Sequence, residues 1–194
     1  MKIGLLGGSF NPAHAGHRLV STMAIQQLGL DQIWWLVSPQ NPLKSEAEMA
    51  PLGERLKSAN KIADHPRIVV ADIESQLDTQ YTIDTVHALQ RRFRDVRFIW
   101  LMGADNMIQL PKWSKWRELV DTIPIAIYPR PGFTLKARLS PAASTYRTAW
   151  LDRSDATLLP SLKAPALCFL EGPENPISAT SIHHNTKAGS TEKP

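Results

Sequence analysis

Gly7-Gly8-Ser9-Phe10-Asn11-Pro12-Ala13-His14-Ala15-Gly16-His17 places two imidazoles, three residues apart, beside a turn of small residues. An apolar run over residues 2–6 precedes it, and a helical pattern over residues 17–28 follows. A strand, a small-residue turn and a helix start together make a phosphate cradle. Main-chain N–H groups can close on an anion there, and the helix N-terminus adds partial positive charge. Two histidines at the same place add ring donors for phosphoryl oxygens, which suggests chemistry on a phosphate and not only storage of a nucleotide. The turn is neither the dinucleotide G-x-G-x-x-G fingerprint nor a P-loop, because no glycine follows Gly8 until Gly16 and no Gly-Lys-Ser/Thr follows. Taken singly, each histidine reads as an ordinary turn or helix-start residue. The pair, framed by Pro12 and Gly16 directly after a strand, favours function.

Residues 8–17 resemble the G-x-F-x-P-x-H-x-G-H signature of the nucleotidyltransferase superfamily named for its His-x-Gly-His motif. Ile177-Ser178-Ala179-Thr180-Ser181-Ile182 is similar to that superfamily's second motif, I-S-x-T-x-[IL]-R. Shorter matches between them, in the expected order and over nearly the whole chain, narrow the resemblance to the nicotinate-nucleotide adenylyltransferases. The resemblance implies a cytoplasmic enzyme of NAD biosynthesis. It would join ATP and nicotinate mononucleotide into deamido-NAD by in-line attack on the ATP α-phosphate, releasing pyrophosphate. Mg²⁺ would be bound mainly through the ATP phosphates, with no dedicated protein metal site.

The resemblance also assigns roles. His14 and His17 contact the ATP phosphates, and His17 steadies the transition state. Gly8, Ser9 and Phe10 line the nucleotide through the backbone, Gly103 and Asp105 lie beside it, and Ile177, Ser178, Thr180 and His183 complete the ATP site. For the acceptor, position alone offers Lys44, on the loop after the second strand, for the mononucleotide phosphate, and Arg130 to counter the substrate's negative charge. Thr82 and Thr85, in Tyr81-Thr82-Ile83-Asp84-Thr85, lie against the pyridine ring and its carboxylate. Trp113, in Trp113-Ser114-Lys115-Trp116, gives that ring a flat aromatic wall. Plainer readings stand beside these: Ser178, Asp105 and Thr82 are each suited to capping a helix, and a loop lysine such as Lys44 is usually solvated.

The chain departs from the pattern at two places. Leu110-Pro111 stands where many relatives have Phe-His. His183, followed by His184, stands where the second motif has Arg, and histidine lacks both the fixed charge and the fork of a guanidinium. Three readings stay open: His183 substitutes in part, Lys187 reaches in, or turnover is weakened to leave a nucleotide-binding protein. A sister transferase using nicotinamide mononucleotide or phosphopantetheine is the alternative within the enzyme class.

The elements that must position these residues alternate. Near-continuous Val, Ile, Leu and Trp runs cover residues 2–6, 33–37, 67–73, 96–102, 123–128 and 167–170, as expected for parallel strands covered on both faces. Between them, Ile83, Val86, Leu89 and Phe93 form one apolar stripe, and Leu52, Leu56, Ala59, Ile62 and Ala63 another, after Pro51. The alternation predicts an α/β, Rossmann-like, doubly wound parallel sheet in a single domain. In such sheets ligands bind outside the carboxyl ends of the strands, which gathers the candidate loops on one edge.

The composition agrees. A chain of 194 residues, 43% hydrophobic and 21% charged, reads as one nucleotidyltransferase domain over residues 1–189 with a frayed tail at 190–194. The net charge of +4 comes from scattered residues, which suits small polyanions and argues against a nucleic-acid partner. No run is apolar for long enough to predict a membrane span, and the N-terminus enters a strand at once, so no secretory signal is expected. The one cysteine, Cys168, reads as a reduced core residue. Most of the six tryptophans fall within core patterns. Residues 133–165 show weak periodicity and no readable role. A homo-oligomer is compatible with all of this.

Overall fold

A computed structural model of the chain describes residues 1–39 and 49–173. Lys44, Ile177, Ser178, Thr180 and His183 lie outside the described residues, as does the tail expected at 190–194.

Six strands form one parallel sheet: β1 (Lys2–Gly8), β2 (Gln32–Val37), β3 (Ile68–Ala71), β4 (Arg97–Gly103), β5 (Ile125–Tyr128) and β6 (Leu167–Phe169). Their order is β3-β2-β1-β4-β5-β6, so the chain winds outward from β1 first on one side and then on the other. That is the doubly wound topology, and its switch point lies between β1 and β4. Successive side chains on each strand go to opposite faces. Leu5, Trp100 and Met102 enter one core with Ile83, Val86 and Leu89, whereas Leu6, Trp35 and Leu101 enter the other with Ile25 and Leu28. Both faces are covered, which is why the strands read as continuous apolar runs.

The described helices are α1 (Ala15–Leu28), α2 (Leu52–Ala63), α3 (Ile73–Leu77), α4 (Thr82–Arg92), α5 (Ala104–Gln109), α6 (Trp116–Thr122), α7 (Thr134–Arg138) and α8 (Pro141–Thr145). Two 3-10 segments, Leu110–Lys112 and Arg153–Ser161, join them. α1 stops at Gly29, whose φ of 61° is the left-handed cap that glycine adopts without a Cβ penalty. No helix among the described residues is long and apolar enough to cross a membrane.

Some expected boundaries shift for identifiable reasons. The third strand ends at Ala71, and Ile73 opens α3, where it packs partly buried on the core. The fifth begins at Ile125, because Ile123 donates its N–H back to Leu119 at the end of α6 and Pro124 has none to give. The stretch 133–165 holds the two five-residue helices and the Arg153–Ser161 segment. Cys168 is a free, buried thiol, pushed up to about 11 chiefly by burial.

Candidate active site

The site is assembled at the carboxyl ends of β1 and β4. β1 runs out through Gly7 and Gly8 into the histidine turn. A Cβ on Gly7 would lie 2.6 Å from Trp100 Cη2, so only glycine lets the buried Trp100 ring pass beneath this point. Phe10 then takes a φ of 45°, in the left-handed region that costs a non-glycine residue about 1–2 kcal/mol. Burial of its ring, worth about 1.5–3 kcal/mol, offsets that cost. The ring stacks on Trp35 at 5.1 Å and meets the His17 ring at 4.7 Å, so Phe10 props up His17 from below.

His14 is the N-cap of α1 and His17 lies in its first turn. The two rings are 3.9 Å apart and inclined by 35°. The His14 backbone N–H donates to His17 Nδ1 at 3.2 Å. A ring nitrogen that accepts carries no proton, so in neutral His17 the proton sits on Nε2. His14 Nδ1 is buried with no hydrogen-bond partner among the described residues. Its imidazole is lowered from 6.5 to about 4, first by burial and then by the charge of Arg130. At neutral pH His14 is therefore an uncharged ring, and a neighbouring phosphate would have to draw the proton onto it.

β4 ends at Gly103, and Asp105 follows in the first turn of α5. The Asp105 carboxylate folds back so far that a Cβ on Gly103 would lie 2.5 Å from Oδ1. Arg130, beyond the end of β5, donates from Nη1 to Asp105 Oδ2 at 2.5 Å. Asp105 Oδ1 is buried without a partner. Arg130 and Asp105 thus act as one unit, and its cation is electrostatically coupled to His14.

The acceptor-side residues are placed less uniformly. Tyr81, and not Thr82, is the N-cap of α4; Thr82 is the first helical residue. Thr85 is fully buried, and its hydroxyl pairs with Thr79 Oγ1 at 2.8 Å and lies 3.3 Å from Tyr81 O. Its described bonds thus pin the α3–α4 connection. Trp113 ends the Leu110–Lys112 segment, half-buried, with its ring perpendicular to Trp100 at 6.3 Å. The Leu110-Pro111 departure is accommodated as a 3-10 turn.

Sequence reasoning missed two residues. Trp100 carries a buried indole N–H with no partner among the described residues, beneath Gly7 and against Trp113; only its place mid-strand, three residues short of the end of β4, hinted at this. Arg55 on α2 is almost fully buried. Its signal was readable: it stands three residues after Leu52 and four before Ala59, within the apolar stripe of the helix.

A doubly wound sheet that ends its first strand in a paired-histidine phosphate cradle defines a nucleotidyltransferase. The chain belongs to the cytidylyltransferase-like family, whose model matches residues 5–185. A relative from Parvibaculum lavamentivorans, named a probable nicotinate-nucleotide adenylyltransferase, is 65% identical over 182 residues, covering 94% of this chain and 90% of that protein. One of the same name from Rhizobium meliloti is 47% identical over 189 residues, covering 97% of this chain and 100% of that protein. The solved structure of Plasmodium falciparum nicotinic acid mononucleotide adenylyltransferase complexed with NaAD superimposes with a TM-score of 0.70. It covers 94% of this chain and 82% of that chain at 18% identity, a likeness of fold.

Proposed function

We propose that this chain transfers the adenylyl group of ATP to nicotinate mononucleotide, forming deamido-NAD and pyrophosphate. A phosphate oxygen of the mononucleotide attacks the ATP α-phosphorus in line. The bond from that phosphorus to the bridging oxygen breaks, and pyrophosphate leaves with the electron pair. No covalent enzyme intermediate is required. The obstacle is the approach of one anion to another, so positioning and electrostatic stabilisation can supply most of the catalysis.

The observation that carries this reading is the close, mutually inclined His14–His17 pair after β1, with His17 Nδ1 already occupied by the His14 N–H. That bond directs the Nε2 donor to the charge that develops as pyrophosphate departs. The Arg130–Asp105 unit adds a fixed cation to the same region, and Trp113 offers an edge of the acceptor pocket. Gly8, Ser9, Phe10 and Gly103 supply backbone to the nucleotide, with Thr82 beside the acceptor. Lys44 and the second motif, Ile177 to Thr180 with His183, complete the site by the resemblance.

ATP-dependent adenylyl transfer uses a divalent metal, which we take to be Mg²⁺. Among the described residues no group of three or more His, Cys, Asp or Glu side chains could hold one. Asp105 Oδ1, buried with no partner among the described residues, would touch through water an ion carried in on the polyphosphate. Bound there, it would neutralise phosphate charge. We take the enzyme to act in the cytoplasm as one domain, residues 1–189. Incubation with ATP, Mg²⁺ and nicotinate mononucleotide tests the reading: pyrophosphate and deamido-NAD are expected in equal amounts, and their absence at high enzyme concentration would overturn it.

A further inference from the structure

Arg55 is 2% exposed, yet its hydrogen bonds among the described residues go to main-chain carbonyls. Nε donates to Ala50 O at 2.8 Å, Nη1 to Ser9 O at 2.8 Å and to Ser38 O at 2.6 Å, and Nη2 to Pro39 O at 2.9 Å. These carbonyls belong to three separate segments: the histidine turn after β1, the exit of β2, and the entry to α2. Burial lowers the guanidinium below its ordinary value, but an arginine keeps its charge. A buried cation is costly, and a packed apolar side chain in its place is often no less stable. Stability alone therefore does not account for Arg55; the geometry it enforces does.

We propose that Arg55 is a positioning residue for adenylyl transfer, fixing the phosphate turn after β1 against the segment leaving β2 so that the donor and acceptor sides are held in one register. This rests on the reading of the chain as an adenylyltransferase. In a trans peptide the carbonyl and the following N–H point in opposite directions. By drawing Ser9 O inward, Arg55 turns the Phe10 N–H away from itself, to the side on which a nucleotide would lie. The same guanidinium draws in Ser38 O and Pro39 O. Two further bonds brace the arrangement: Ser38 N–H to Gly8 O at 3.0 Å and Ala50 N–H to Asn11 Oδ1 at 3.2 Å. On the other side, the buried Glu74 of α3 hydrogen-bonds the Ser38 side chain. The carboxyl ends of β1 and β2 and the helix after β3 are thus joined through one polar network. No ammonium can reproduce this, because four acceptors in three directions need the planar fork.

The test compares wild type, Arg55→Lys and Arg55→Ala, with exposed Lys57→Met on the same helix as control. Tm is measured for each, and kinetics are run well below the lowest Tm. Arg55→Lys is expected to lose about 10²-fold in kcat, the scale of an ångström-sized misplacement, with KM raised for both substrates. Millimolar guanidinium is expected to restore part of the kcat of Arg55→Ala without raising its Tm. Lys57→Met is expected to match wild type. A lowered Tm with unchanged kcat and KM in Arg55→Lys would overturn the proposal. ATP binding by calorimetry separates this from the functional reading: if wild type binds ATP but releases no pyrophosphate, that reading fails, and the clamp still stands or falls on whether Arg55→Lys weakens ATP binding by about tenfold or leaves it unchanged.

Discussion

The histidine turn and the framework behind it are both polar and both buried, and they are built in opposite ways. At the site, His14 Nδ1 at the start of α1 and Asp105 Oδ1 at the start of α5 are buried with no hydrogen-bond partner among the described residues. Behind it, Arg55 meets four carbonyls from three segments, and its burial is matched by hydrogen bonds. A buried polar atom without a partner costs about 1–3 kcal/mol. On the proposed adenylyl transfer, the first region would leave its bonding to the substrates and the second would hold the geometry ready for them.

The comparison is sharpened most by His17→Ala. Loss of one preorganised donor to a developing phosphoryl charge is expected to lower kcat by about 10²–10³-fold. The Tm should move far less, because the one described bond lost accepts a single backbone N–H. A large fall in Tm with kcat preserved would place His17 in the framework instead.

Arg130→Met acts on the junction of the two regions. The Asp105 carboxylate, only partly exposed, loses its cation, and a destabilisation of about 1–3 kcal/mol is expected in chemical denaturation. The same change removes the lesser of the two causes that depress His14, so NMR titration should find that imidazole raised above about 4 but still below 6.5. No movement of His14 would separate Arg130 from the phosphate site.

Much of this organisation is legible in the sequence. The six strands follow from runs such as Ile33 to Val37, and α1 from the pattern after the turn, because strands buried on both faces lose the polar alternation and leave short apolar runs between turn signals. The histidine pair is legible because its neighbours Pro12 and Gly16 are otherwise hard to explain. Residues 133–165 are not, since α7 and α8 span five residues each and the Arg153–Ser161 segment contains Pro160, too little for a helical period. Arg55 was hidden by its type: a charged residue on an amphipathic helix reads as solvated, although its position lies in the apolar stripe. The state of His14 was also illegible, because the burial and the cation that depress it come from the fold. The Thr82 cap failed because Tyr81 backbone, not a side chain, begins α4.

Acid sensitivity gives a smaller effect with a definite sign. His14 is depressed in the folded chain, so between pH 6.5 and about 4 the unfolded chain binds a proton that the folded chain does not. Its contribution to stability is therefore unchanged above pH 6.5, falls as the pH drops through that window, and levels off below about 4. His14→Asn should flatten this part of the stability–pH curve. ATP at pH 5–6 should produce proton uptake in calorimetry as phosphate draws a proton onto the ring; an unchanged curve and no uptake would contradict the buried, neutral His14. Smallest of all is Trp100→Phe. It removes a buried donor that has no partner among the described residues, so stability should fall only by the cavity cost of the smaller ring, about 1 kcal/mol; a loss several times larger would show that the indole N–H belongs to the framework.

The central claim, adenylyl transfer to a pyridine mononucleotide, is tested most directly by pyrophosphate release from ATP and Mg²⁺ with three acceptors compared side by side. Release should be fastest with nicotinate mononucleotide, slower with nicotinamide mononucleotide and absent with phosphopantetheine. Preference for phosphopantetheine, or no release with any acceptor at high enzyme concentration, would contradict it.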